Sequence, residues 1–485
     1  MIILLIFVTG EFIFSTTTHL IQKNLNPGYA AGPILDQMAR MSKFENIYQN
    51  DLSKFPYGIT NYPPVYHVIN MPFVWLFGLD TWYGISISAL STLMTGVFLG
   101  LTIKSLTQNK FAAYVCALTF FVFIPFITTS TLIRPDSLAL CLSWGGLFWI
   151  VQYTKQKLSF KHLLFATITL VAAAYTKQTF VILAPATSFF WLYLNGKRRD
   201  AFIFIAMLGT MGLSLCAFLN YVTDGGFFLH VVRANINELD FMNAVALAIT
   251  LLSYAVGFVV MAGFLIKKTP WDSSPRLFII FYLIGSVLTS VMVVKSTSDY
   301  HYFSELFCGF SLVSGFIFTQ KNIRSADKIF NCTVIIFQLL LMSRLNVIWQ
   351  DNIDNIADSK NKSTENHIHD IKVINNVIDE TDGFILADRY MWMLPLKGRR
   401  VVFQPYEFTQ MSRFAVWDQS DFLQSIRDRK YSIILLNKNE DVQKSWYTNE
   451  MIYEIKSNYS TTHELSNILV YKSNKTNAST QEAVR

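Results

Sequence analysis

The chain has 485 residues, of which 52% are hydrophobic and only 15% charged, with a formal net charge of +7. Soluble domains carry roughly 25% charged residues, so this balance excludes an ordinary soluble enzyme and describes a polytopic membrane protein. The positive charge gathers in short loops between apolar runs, which makes it a signal of membrane orientation and gives no reason to propose a nucleic-acid partner.

A helix needs roughly 20 mostly apolar residues to cross ~30 Å of hydrocarbon. About eleven segments, some of them short, meet that need. They lie near 2–20, 82–103, 111–130, 137–154, 162–176, 179–195, 201–222, 242–266, 277–294, 304–320 and 329–349. The first reads as a retained signal anchor, with Glu11 expected to face the bundle interior. Lys104/Lys110, Lys155/Lys157/Lys161, Lys197/Arg198/Arg199, Lys267/Lys268/Arg276 and Lys321/Arg324/Lys328 fall in every second loop. The bias of Lys and Arg toward the cytoplasm then predicts an inner, plasma-membrane protein with its N-terminus inside and its C-terminus outside. The loops 21–81, 131–136, 176–178, 223–241 and 295–303 share the outer face.

The first outer loop is too long for a connector. Ile34, Leu35, Met38 and Met41 are spaced as in an amphipathic helix lying along the interface, which would bring Asp36 toward the membrane surface. Pro63-Pro64 forbids helix continuation and acts as a rigid elbow, with Tyr57, Tyr62 and Tyr66 suited to headgroup depth. After Trp349 the composition turns polar. A helix near 366–380, strands at GFILAD and RRVVFQ, a helix at 419–429 and the strand YSIILLN predict a small α/β outer domain. The expected fold class is mainly α: residues 1–349 form a membrane helical bundle, 350–472 a C-terminal α/β outer domain, and 473–485 a disordered tail. Asn361, Asn458, Asn474 and Asn477 stand in glycosylation sequons. All five cysteines lie in apolar segments, so no disulfide framework or thiolate metal site is expected.

Several motifs occur in a fixed order: GPILDQ at 32–37, IYQND at 47–51, PYGITNYPPVY at 56–66, LIRPDSLAL at 132–140, YTKQTFVILAP at 175–185, SDYHYFSEL at 298–306 and VVFQPYEFTQMSRFAVWD at 401–418. This order resembles the bacterial integral-membrane glycosyltransferases of the GT-C superfamily, which include protein O-mannosyltransferases and the aminoarabinose transferase of lipid A. The resemblance implies transfer of a sugar from a polyprenyl-phosphate carrier to an acceptor hydroxyl on the outer face, with inversion. The acceptor, a glycan, lipid or protein, stays open. No cofactor is predicted, with a divalent metal at the leaving phosphate as the alternative to Lys or Arg.

Such a reaction needs a carboxylate to take the acceptor proton and cations to stabilise the departing lipid phosphate. Asp36, inside the GPILDQ match, is the expected base, with Glu45 and Asp51 as lesser candidates; the resemblance also implies an acid just before the Gly-Pro, where this chain has Ala31. Asp136 is the expected second acid. Lys177, Arg134 and Arg233 are the expected phosphate contacts, with His230 beside Arg233. Lys177 stands out as an outer-face cation between two apolar runs. Tyr62, Tyr66, Asp299, Tyr300, His301 and Glu305 are expected to meet the sugar or acceptor. Asp299 and His301 without a third ligand at a recognisable spacing predict no metal site. The run Pro405 to Asp418 is read as packing the outer domain onto the membrane part. A helix cap at Asp136, lipid-facing cations and an interfacial aromatic belt are the plain alternatives for these residues. A transporter or a noncatalytic envelope scaffold is the alternative for the whole chain.

Overall fold

A computed structural model describes residues 1–21, 28–155, 159–268, 274–296, 298–319, 329–341, 366 and 368–473. Helices lie on all the apolar segments of the sequence. They are α1 (Ile2–Ile21), α4 (Trp82–Thr107), α5 (Lys110–Phe120), α6 (Asp136–Lys155), α7 (Phe160–Ala174), α8 (Leu183–Leu194), α9 (Arg198–Val222), α11 (Phe241–Lys268), α12 (Ser274–Thr289), α13 (Ser304–Ile317) and α14 (Ile329–Leu341). Between them come α2 (Ala31–Met41) and α3 (Val65–Phe77) in the first loop and the single turn α10 (Gly226–Phe228). Four helices among the described residues are long and apolar enough to cross a membrane: α4, α9, α11, and the Ser274–Val294 unit that contains α12. The chain is thus a membrane protein, with Leu213, Phe218, Met242 and Leu288 among the large apolar side chains left on its outside.

The bundle is held by close helix contact. Gly100 of α4 lets α5 approach so tightly that a Cβ there would stand 2.9 Å from the Ala113 carbonyl oxygen. Inside, Trp144, Trp191, Phe123, Phe307 and Phe310 fill one continuous apolar core. Glu11 is exposed on α1 and does not turn into this core.

The C-terminal domain carries a four-stranded sheet in the order β1-β2-β4-β3, from β1 (Phe384–Ala387), β2 (Tyr431–Asn437), β3 (Tyr459–Glu464) and β4 (Ile468–Ser473). β1 and β2 run parallel, and the helical segment between them provides the crossover that parallel pairing requires. RRVVFQ does not join the sheet: Phe403 makes a single parallel bridge with Tyr57 of the first loop. The helices expected at 366–380 and 419–429 are found at 368–380 and Ser420–Arg427. The sequons at Asn361, Asn474 and Asn477, Lys157, the cluster Lys321/Arg324/Lys328, residues 342–349 and the tail from 474 onward lie outside the described residues.

The first loop is built into the protein and does not lie along a lipid surface. Residues 31–38 of α2 are all buried, and Ile34, Leu35 and Met38 pack with Met391, Trp392 and Leu394 of the C-terminal domain. Tyr57, expected at headgroup depth, is buried among Phe403, Phe408, Trp417 and Phe422. A side chain that reads as interfacial from composition instead finds a larger apolar partner in the domain above it. The elbow at Pro63-Pro64 does redirect the chain: α3 starts at the next residue and exposes Trp75, Leu76 and Phe77.

Candidate functional site

Three loops at one end of the bundle bring the ionisable residues together. The loop before α6 is pinned to α4 by the Ser88 hydroxyl, which donates to the carbonyls of Leu132 and Arg134. Pro135 then breaks the chain, and Asp136 opens α6 with its carboxylate at the helix N-terminus, where negative charge is favoured. Lys177 lies in the extended break between α7 and the short turn Gln178–Val181. Its ammonium donates to Asp136 Oδ1 at 2.5 Å. Arg134 Nε stands 3.3 Å from Asp136 Oδ2, and His301 Nε2 stands 3.7 Å from Oδ1. Asp136 and Lys177 are each 5% exposed and His301 6%.

Aromatic rings complete the cluster. The Lys177 ammonium lies 5.2 Å from the Tyr302 ring centre and 6.0 Å from that of Tyr62, and Arg134 Nη2 donates to the Tyr62 hydroxyl at 3.4 Å. Burial is the largest single effect and opposes a charged Lys177, but the Asp136 carboxylate and the Tyr302 and Tyr62 hydroxyls together outweigh it and hold the ammonium above its usual range. His301 is pushed well below the usual imidazole range by burial and by the Arg134 charge, so its ring is neutral.

In front of Asp136 opens a cavity of about 310 Å³. Arg134, Lys177 and Lys295 supply its cations, and Tyr62, Tyr302, Tyr406 and Trp446 its aromatic surfaces. Asn61, Gln178, Asn235, Asn237 and His301 add neutral polar groups. Among its lining residues Glu407 is the only carboxylate. The Asn61 and Gln178 side-chain oxygens and both ring nitrogens of His301 are buried without a hydrogen-bond partner. Polar atoms left in that state cost free energy unless a hydroxyl-bearing ligand or water satisfies them.

Arg134, Asp136, Lys177, His301 and Tyr62, singled out from the sequence, thus meet at one place. The other candidates lie elsewhere. Asp36 is buried at the joint between α2 and the C-terminal domain, accepting from the Val401 N–H at 3.1 Å, with Arg400 at 3.7 Å and Arg40 at 3.9 Å. It lines a separate small cleft with Gln37, Arg40 and Arg400. Glu45 pairs with Arg40, and Asp51 with Lys54. Tyr66 is wholly buried and donates to the Gly84 carbonyl at 3.2 Å. Arg233 is exposed, and neighbouring His230 is buried, accepting from the Thr60 N–H. Asp299 accepts from the Tyr300 N–H, Tyr300 packs on the bundle core, and Glu305 accepts from the Thr289 hydroxyl.

Two charged site residues escaped the sequence reading, as did the neutral polar and aromatic wall of Tyr29, Asn61, Gln178, Asn235, Asn237 and Trp446. Lys295, at the end of an apolar run, meets the same criterion as Lys177, an ionisable residue beside an apolar segment. Glu407 sits in the PYEFTQ segment, which reads as packing because nothing in one dimension shows that the first turn of the helix Pro405–Arg413 meets Tyr29 and Asn61.

No family model matches the chain, and no curated protein matches it in sequence. Solved structures do resemble it. ArnT from Cupriavidus metallidurans bound to undecaprenyl phosphate superposes with a TM-score of 0.60 at 10% identity, over 96% of this chain and 97% of that one. The apo state of ArnT gives 0.61 at 10% identity over the same shares. A weaker likeness, TM-score 0.48 at 11% identity, covers 92% of this chain and 69% of the Archaeoglobus fulgidus oligosaccharyltransferase in complex with Zn and sulfate. Matched almost end to end, the chain has the fold of ArnT.

Proposed function

We propose that the chain transfers a glycosyl group from a polyprenyl-phosphate carrier to an acceptor hydroxyl on the outer face of a cell membrane. The observation that supports this reading is the convergence of Arg134, Lys177 and Lys295 on one cavity whose other walls are aromatic and amide groups. Three cations are well suited to a phosphate, and aromatic faces with unpaired polar atoms to a sugar ring. ArnT, of the same fold, was captured with undecaprenyl phosphate, which agrees with a lipid-phosphate site here.

In this reading residues 1–349 hold the carrier and residues 350–472 cover the cavity from outside, with the N-terminus cytoplasmic. The acceptor oxygen bonds to the anomeric carbon as the bond from that carbon to the carrier phosphate oxygen breaks. The lipid phosphate leaves with the bonding pair, and its charge is met by Lys177, Arg134 and Lys295. The acceptor proton passes to a carboxylate. Asp136 is a positioning residue: three neighbours draw on its charge, and it stands behind the cations it orients. Asp36, engaged by Arg400, Arg40 and the Val401 N–H, holds the first loop to the C-terminal domain.

The test is undecaprenyl phosphate binding to the purified full chain in nanodiscs. Losing a charge-assisted hydrogen bond costs about 1.5–3 kcal/mol, so Lys177→Met should weaken binding by about 10- to 100-fold. No measurable binding by the wild type, or equal binding by the variant, would remove the phosphate site and the reading with it.

A further inference from the structure

We propose that Glu407, carried by the C-terminal domain, is the group that takes the acceptor proton, so that the catalytic base and the phosphate site come from two different parts of the fold. This rests on the transferase reading above.

Placement is the first argument. Glu407 is the only carboxylate among the cavity-lining residues. Its Oε2 accepts from the Tyr29 hydroxyl at 2.7 Å and its Oε1 from Asn61 Nδ2 at 3.3 Å. Asn61 is followed by Tyr62, whose hydroxyl takes the hydrogen bond from Arg134, and the Asn61 carbonyl accepts from Gln178 beside Lys177. Two consecutive residues therefore join the carboxylate to the cation cluster. That is the neighbourhood a displacement needs, with a base on the acceptor side and cations on the leaving-group side.

Charge is the second argument. A carboxylate paired closely with cations has little tendency to accept a proton, and Asp136 is so paired; Asp36, whose carboxyl burial raises despite Arg400 and Arg40, lines a separate cleft away from these cations. Among the described residues no Lys, Arg or His lies within ion-pair distance of Glu407; its partners are a phenol and an amide. Burial raises its carboxyl to about 7, where a base works best near neutral pH. Environments that push carboxylates apart in this way separate their roles.

Orientation is the third. The Tyr29 oxygen that donates to Glu407 also accepts from the Tyr406 N–H at 3.2 Å, and the Tyr29 ring lies 4.7 Å from Trp446. The carboxylate is thus flanked by two aromatic faces of the kind on which a sugar or polyol acceptor rests.

The experiment uses the full chain in nanodiscs with undecaprenyl-phosphate-linked glucose, galactose, mannose and 4-aminoarabinose as donors. The lipid and glycan fraction of a cell envelope serves as acceptor, and release of undecaprenyl phosphate is followed. General-base catalysis contributes about 10²- to 10⁴-fold, so Glu407→Gln should lower kcat by that factor while the Kd for undecaprenyl phosphate stays within about threefold. Wild-type kcat should rise with pH through about 7, and Glu407→Asp should keep measurable turnover with a displaced rise. Turnover in Glu407→Gln within about threefold of wild type would overturn the proposal and leave the transferase reading standing. A wild type that binds undecaprenyl phosphate but turns over none of the four donors would overturn it too. Absence of both binding and turnover would overturn the underlying reading as well.

Discussion

Asp136→Asn keeps the shape of the side chain but removes the negative charge on which Lys177, Arg134 and His301 converge. The Lys177 side chain is 6% exposed and Arg134 22%, so the variant leaves two largely dehydrated cations without a counter-charge. Breaking a buried pair from one side costs about 3–5 kcal/mol. Lys177→Met is the milder change, about 1–2 kcal/mol, because Asp136 retains Arg134 at 3.3 Å. In the double variant only the more exposed Arg134 stays unpaired. Its destabilisation should therefore not exceed that of Asp136→Asn alone, a coupling of about 1–3 kcal/mol. Unfolding of the four proteins in nanodiscs, followed by tryptophan fluorescence against denaturant, measures this cycle. Undecaprenyl phosphate should stabilise Asp136→Asn more than Lys177→Met, since it returns the missing negative charge. Additive single effects, or an Asp136→Asn variant as stable as wild type, would refute the cluster as a coupled unit.

The difference in pH-dependent stability between wild type and Glu407→Gln isolates Glu407 from Asp388, whose carboxyl is also raised to about 7. The folded Glu407 carboxyl lies at about 7, above the ordinary value of 4.5, so the folded protein binds an extra proton between those limits and loses stability as pH rises from about 4.5 to about 7. Glu407→Gln should erase that loss, gaining up to ~3 kcal/mol on wild type across the window, and a constant difference between the two proteins would contradict the assignment. At the joint, Asp36→Asn and Arg400→Ala should each destabilise by about 1–2 kcal/mol and the pair by less than the sum, measured by unfolding; strict additivity would mean that the 3.7 Å pair does not couple. Gly226→Ala would place a Cβ 2.1 Å from the Tyr48 carbonyl oxygen, which is backbone and cannot turn aside. The variant should lose about 1–3 kcal/mol by the same unfolding assay, and wild-type stability would show that the first loop yields there.

Helices were legible because long apolar runs mark them, and every marked segment carries a helix among the described residues, four of them long and apolar enough to cross a membrane. The C-terminal strands β1 and β2 were legible from short apolar runs between polar turns. RRVVFQ has the same local pattern and fails as a strand, because Val402 and Phe403 are buried by the first loop and the domain's own helices. Nothing within six residues distinguishes burial under a sheet neighbour from burial under a loop. β3 was illegible for the opposite reason: five of its six residues are exposed, so no apolar alternation marks it.

Within the site, the cations and Asp136 could be read because an ionisable residue at the edge of an apolar run is costly and demands a reason. Asp36 satisfies the same criterion, yet it is met by Arg400, which comes from a distant part of the chain. Glu407 fails the criterion, since an acid in the first turn of a helix in a polar domain looks ordinary. Its distinction is three-dimensional: it faces a cavity without a cation of its own. Sequence shows where a charge is out of place, whereas the reactivity of a carboxylate depends on which charges approach it. Of Asp136, Asp36 and the half-buried Glu407, only Glu407 has no cation within ion-pair distance among the described residues, and it alone of the three lines the cavity whose cations suit a phosphate. A reaction that needs a cation-bound phosphate and a free base within one cavity requires that separation, and the Asn61–Tyr62 pair is where the two environments meet.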